Sequence, residues 1–164
     1  RAVFYDVHLL PPSRIDDPRA ALVRHAAEDL AEQHEHDPPV IPLEVLSKVR
    51  ETWVKPGEGL RIEDSHGAVT VRLPFWYWGR QAREQAKVLH AVVKELEAAT
   101  GWRGFDPQLD DWFTGRSYKD TVAVMEAVAD YQARERMDTP AVDARRAARA
   151  AEGRPKPLFR RRRG

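Results

Sequence analysis

Two aspartates stand where strand ends would bring acids together. Asp6 lies within FYDVHLL near the start of the chain, and Asp106 closes WRGFD, with Asp110 and Asp111 just beyond. If these stretches pair as strands, Asp6 and Asp106 meet, and paired carboxylates are the hard oxygen ligands that Mg²⁺ uses in phosphodiester cleavage. A plainer explanation competes: Asp-Pro and Asp-Asp are ordinary turn chemistry. It prevails here, so no metal ligand and no catalytic residue is assigned. The same acids would also serve as a decoy surface for a basic partner.

Phe75-Trp76-Tyr77-Trp78 is the second candidate. Strand alternation cannot bury four consecutive aromatics on one face, so at least two need cover elsewhere or meet solvent. Exposed Trp and Tyr anchor partners. Trp76 and Trp78 are alternate residues and form the natural pair. With Asp106, Asp110 and Asp111 they make the expected partner-binding surface. The competing explanation packs the aromatics under a helix at residues 118–136 and the loop at Trp112-Phe113.

The histidines carry less. His34-Glu35-His36-Asp37 has ligand types without helical metal spacing. His90 reads as a satisfied boundary residue, and His8 matters only through its closeness to Asp6. No serine sits in a nucleophile elbow. Neither Gly57-Glu58-Gly59 nor the Gly101 to Gly104 segment has a phosphate-loop pattern. No cofactor is expected.

The net charge of +1 conceals an asymmetry. Residues 1–133 hold 16 basic and 22 acidic side chains, a net of −6; residues 134–164 hold 11 and 4, a net of +7. Arg145, Arg146, Arg149, Arg160, Arg161, Arg162 and Arg163 form the basic end. Arginine forks suit phosphate, and several contacts together give salt-dependent binding to nucleic acid. Nucleic acid is therefore the alternative partner, with Asp6 and Asp106 as metal ligands if the protein also cleaves it. A solubilising terminus is the plain explanation of the same residues.

The elements that must position these groups follow from periodicity. Residues 2–10 alternate as a strand. Asp17-Pro18 starts a helix with a thin stripe of Leu22, Ala26 and Leu30, stopped by Pro38-Pro39. A short helix covers 42–54. Residues 60–63 and 68–75 read as a hairpin. The strongest helix spans 80–100, with Ala82, Ala86, Leu89, Val93 and Leu96 at 4-3 spacing and Gly101 as its C-cap. Strands are expected at 102–106 and, at an edge, 109–113. Ser117 and Asp120 resemble a capping box opening a helix at 118–136, which should pack at an edge or on the open sheet face. A last Ala/Arg helix covers 140–152, and the remainder is too polar to fold alone.

The order is that of a ferredoxin-like α+β fold: a β-α-β-β-α-β antiparallel sheet with two helices on one face. One domain at 1–136 and a helical, then disordered, basic extension at 137–164 are expected. The chain has no cysteine, no run of about 18 apolar residues and no visible leader, so a cytoplasmic protein without a membrane span is expected.

Three segments carry a resemblance: Phe4-Tyr5-Asp6-Val7, the strand-to-helix step at 73–82, and Thr100-Gly101-Trp102-Arg103-Gly104-Phe105-Asp106-Pro107-Gln108. Together they resemble a loose group of small bacterial proteins, some similar to immunity proteins found beside polymorphic toxins. The Arg-rich tail and the aromatic cluster depart from that pattern. The resemblance implies a non-enzymatic protein-binding module of the immunity or adaptor kind, and that is the leading expectation. A homodimer pairing its sheets is a further one.

Overall fold

The computed structural model describes residues 4–12, 17–19, 22, 41–65 and 68–152. The expected stretch at 34–37 and the arginines at 160–163 lie outside them. The first helix is seen only at residues 18, 19 and 22.

The elements are β1 (Phe4–Leu10), α1 (Leu43–Trp53), β2 (Arg61–Ser65), β3 (Ala68–Pro74), α2 (Gly79–Thr100), β4 (Arg103–Asp106), β5 (Asp111–Trp112), α3 (Tyr118–Arg134) and α4 (Pro140–Glu152). The strands form one antiparallel sheet in the order β2-β3-β1-β4-β5. The chain is thus α+β, as its periodicity implied. Among the described residues no helix is long and apolar enough to cross a membrane.

Alternation sorts β1 into two faces. Tyr5, Val7 and Leu9 are fully buried and join Val69, Val71 and Leu73 of β3 in the main core. Phe4, Asp6 and His8 point the other way. The register sets Arg72 opposite both Asp6 and Arg61, and Thr70 opposite both His8 and Glu63, so this second face is largely polar. At its β4 end Leu10 and Phe105 form a small apolar cluster with Leu22 and Trp112.

Helix α2 covers the first face. Its stripe of Ala82, Ala86, Leu89, Val93 and Leu96, joined by Val92, is buried throughout. Small residues in the first turns let the helix lie close to the sheet. Removing a buried leucine such as Leu89 would cost ~2–5 kcal/mol. Gly101 ends α2 at φ 72°, with its N–H donating to the Glu97 carbonyl at 2.9 Å. The Thr100 hydroxyl donates to the Leu96 carbonyl and accepts from the Trp102 N–H, turning the chain into β4.

Helix α1 joins the same core through Leu46 and Val49. Arg50 donates to the Ile62 carbonyl at 2.9 Å, and Trp53 Nε1 donates to Glu95 at 2.6 Å, tying α1 to β2 and α2.

Helix α3 opens with the expected Ser117–Asp120 capping box. It does not take the open sheet face. It packs on α2, because Val122 and Met125 continue the apolar surface that α2 presents. Helix α4 then packs on α3 through Ala141 and Val142, so residues 140–152 belong to the same packed body. The edge strand shrinks to two residues, since Asp110 takes a left-handed φ of 53° that breaks the extended run.

Candidate functional site

Asp106 ends β4 and is fully buried. His8 faces Phe105 across the strands, so Asp106, one residue on, belongs to the covered face with Tyr5 and Val7. Pro107 has no N–H, and the chain turns at once. The Asp106 carboxylate therefore accepts from the next two backbone N–H groups, Gln108 at 2.9 Å and Leu109 at 3.2 Å. With its amide nitrogen turned inward, the Gln108 side chain donates to Asp106 Oδ1 at 3.0 Å and to the Asp6 carbonyl at 2.9 Å. The second carboxylate oxygen accepts from the Tyr5 hydroxyl. The Tyr-Asp start and the Phe-Asp-Pro-Gln segment are thus two halves of one buried cluster.

Burial pushes the Asp106 pKa above the ordinary carboxylate range, against the Tyr5, backbone and Arg116 interactions that favour the ion. Burial, then the bond to Asp106, raises the Tyr5 pKa; Thr121 and the charge of Arg116 pull the other way. Thr121, buried on α3, lies 3.0 Å from His90 Nε2 on α2. Burial lowers His90 to about 4, against the charge of Asp120, so the ring is neutral at neutral pH. The row His90, Thr121, Tyr5, Asp106 crosses the protein between α2, α3 and the sheet.

At the His90 end the row opens into a cavity of about 370 Å³. His90, Ala91, Val93, Lys94 and Glu97 of α2 form one wall, and the chain from Phe113 to Arg116 forms the other. The Phe113 ring lies 4.1 Å from the His90 ring. Glu97 holds the two walls together: it accepts from the Gly104 N–H at 2.8 Å and from the Thr114 hydroxyl. Gly104 is required there, since a Cβ would sit 2.8 Å from Val93 Cγ1 and 3.3 Å from Phe113 Cβ. Arg116 Nε faces Asp111 at 3.7 Å, but Nη1 is buried with no hydrogen-bond partner among the described residues.

The expected partner surface is rearranged. Asp106 is withdrawn from it by complete burial. It does not pair with Asp6 either, because the two side chains leave opposite faces of the sheet. Asp6 is held by Arg72 at 3.0 and 3.2 Å, and Arg72 also binds Glu63 at 2.9 Å. Among the described residues no group of three His, Asp or Glu could hold a metal ion. His8 meets Thr70 at 3.0 Å on the polar face. Asp110 pairs with Arg19 at 2.5 Å, and Asp111 caps the Trp112 N–H at 2.7 Å.

The aromatics separate as well. Phe75 is buried against Tyr5. Tyr77 donates to the Glu58 carbonyl. Trp76 lies beside Pro74 over Gly59, whose missing Cβ would be 3.1 Å from the ring, and stays 36% exposed. Trp78 sits at the N-cap of α2 under Arg145, which is 5.7 Å from its ring centre. Trp76 and Trp78 therefore have different neighbours. Arg145 also pairs with Asp130 at 2.5 Å and Arg146 with Asp143 at 3.4 Å, while Arg149 is exposed on the last turn of α4.

Sequence reasoning passed over Lys94, Glu97 and Arg116 and gave His90 and Tyr5 no site role. A signal was present for three of them. His90, Lys94 and Glu97 repeat at 4-3 spacing beside the apolar stripe of α2 and so mark one polar flank. Arg116 has no such signal, because only the fold brings it to that flank. The chain matches no family model, no curated protein and no solved structure. The geometry of this cavity is therefore what a functional reading rests on.

Proposed function

We propose that this chain is a non-enzymatic binding module on a ferredoxin-like sheet, holding its ligand in the cavity between α2 and the β5–α3 connection. The ferredoxin-like reading is supported by β1 lying between β3 and β4, and by α1 and α2 both contributing to the core on one face. β5, α3 and α4 are additions to it.

The observation that carries the binding reading is the cavity of about 370 Å³ between two segments that the fold brings together and that Glu97 bonds to one another. The surrounding mixture of Phe113, Val93 and a few convergent polar groups is what small-molecule sites are made of.

The test is a two-dimensional NMR screen of the whole chain against small fragments. Hits should cluster on the amides of Lys94 and Thr114 to Arg116. Hits confined to the Trp76 region, or scattered over the surface, would overturn the assignment.

A second reading keeps the protein partner that the resemblance to immunity proteins implies. Trp76 favours it, as the exposed member of the aromatic cluster. Its core would be Trp76 without Asp106. For nucleic acid, Arg145 and Arg146 are already engaged by acids, so that role would rest on Arg149 and on the arginines at 160–163.

A further inference from the structure

We infer that the ligand class of this cavity is a small neutral aromatic molecule carrying one O–H or N–H donor, which it gives to Nδ1 of His90. The inference rests on the binding reading above and narrows it.

Hydrogen-bond direction selects the donor. Asp106 accepts from the backbone N–H groups of Gln108 and Leu109 and from the Tyr5 hydroxyl. With its one proton committed to Asp106, the Tyr5 oxygen can only accept in its bond with Thr121. That commits the Thr121 proton in turn. The Thr121 oxygen, 3.0 Å from Nε2 of His90, therefore accepts from the ring. His90 is thus protonated on Nε2, and Nδ1 is left as a bare acceptor, because the bond made by one ring nitrogen sets the state of the other. Among the described residues, the buried side-chain nitrogens and oxygens without a partner are Gln85 Oε1 and Arg116 Nη1. Nδ1, which no neighbour answers, is accessible instead, on a ring that lines the cavity.

Charge selects neutrality. Arg116 is matched by Asp111 at 3.7 Å and by the charge of buried Asp106, and its Nη1 is turned into the protein. Lys94 and Glu97 remain in the lining, one of each sign. An ionic ligand of either sign meets no net charge there. Both oxygens of Glu97 already accept, from the Gly104 N–H and the Thr114 hydroxyl, so they compete little with Nδ1 for a donor. The His90 ring is itself uncharged at neutral pH, since burial lowers it to about 4.

The remaining wall selects the body. The Phe113 ring lies 4.1 Å from the His90 ring, and Val93 and Ala91 extend the apolar surface. Aromatic ligands pack well on such a wall. About 370 Å³ lies near the small end of ligand sites, roughly 300–1,000 Å³. A single ring or a fused pair is of the right scale.

The test is an NMR titration of the full chain at neutral pH with indole, benzofuran (the same shape without the donor), benzoate and benzylamine. It reads the backbone amides and the ring-nitrogen signals of His90. The free protein should show His90 protonated on Nε2 and bare at Nδ1. Indole should shift the amides of Lys94 and Thr114 to Arg116 and move the Nδ1 signal. It should bind about three- to tenfold more tightly than benzofuran, the value of one neutral hydrogen bond. Thr121 acts through His90 as a positioning residue, so T121V should mix the two tautomers and erase the preference for indole while benzofuran still binds. The wild-type tautomer and the indole–benzofuran pair decide the matter even where T121V does not fold. His90 protonated on Nδ1 in the free protein, equal binding of indole and benzofuran at the cavity, or an undiminished preference in T121V overturns the donor class and leaves the site standing. Tighter binding of benzoate or benzylamine there does the same. No cavity shift with any of the four overturns the site itself.

Discussion

Helix α2 begins at an aromatic corner and passes a cavity near its other end, and the two regions are built on different terms. At the corner, four consecutive residues supply the chemistry, and each is answered by a neighbour in space: Phe75 by Tyr5, Trp76 by Gly59 and Pro74, Tyr77 by the Glu58 carbonyl, Trp78 by Arg145. At the cavity, the contributing residues lie in two separate segments, and Glu97 of one bonds to Thr114 of the other. Density of interesting residue types is therefore a poor guide to a site. Neighbours in sequence tend to be satisfied by neighbours in space. A binding site needs groups from separate segments that the fold brings around one cavity.

The comparison makes the cavity side depend on buried polar order and the corner on packing alone. The largest expected effect is at Asp106, which anchors the far end of the row from His90. Asp106→Ala deprives the Tyr5 hydroxyl and two backbone N–H groups of their acceptor, at an expected cost of ~3–5 kcal/mol. Asp106→Asn, which keeps an acceptor, should cost less. Urea unfolding of both variants decides it, and an alanine variant within ~1 kcal/mol of the wild type would mean the cluster is not structural.

That cluster shows how much was legible. The Tyr-Asp start, the Thr-Gly cap and the Phe-Asp-Pro-Gln turn stand out because local geometry dictates their types. Gly101 needs a positive φ, Pro107 ends the strand, and Asp106 accepts from its own turn. Periodicity placed the helices and strands for the same reason: alternation and the 3.6-residue repeat are local properties. The role of Asp106 was not local. Its partner Tyr5 is about a hundred positions away, and only the sheet register decides that Asp6 and Asp106 leave opposite faces. Arg116 was silent for the same reason: its surroundings come from α2 and the sheet.

The next effect in size is a pH dependence at His90. The folded pKa of about 4 lies below the ordinary 6.5, so the unfolded chain takes up the proton first as the solution is acidified. The stabilising contribution of a neutral His90 is complete above pH 6.5 and is lost as pH falls from 6.5 towards 4, by at most ~3 kcal/mol. Asp106 has a raised folded pKa and acts in the opposite sense, losing stability as pH rises above its ordinary 3.8. The difference between wild type and H90Q cancels that contribution. The wild type should lose stability over this window relative to H90Q, and parallel curves would contradict the burial of His90.

The smallest effect belongs to the corner. Trp76→Ala removes a partly exposed ring lying over a glycine, and thermal unfolding should show a loss of about 1 kcal/mol or less. A loss comparable with that of Asp106→Ala would make the corner part of the core and undo the contrast between the two regions.

The contrast is tested most directly by asking which region a ligand needs. Binding of the fragments found in the NMR screen would be followed in the wild type, in A91F, whose ring fills the cavity, and in W76A. Binding is expected to disappear in A91F and to persist unchanged in W76A. Binding kept in A91F and lost in W76A would place the site at the aromatic corner and contradict the assignment of the cavity.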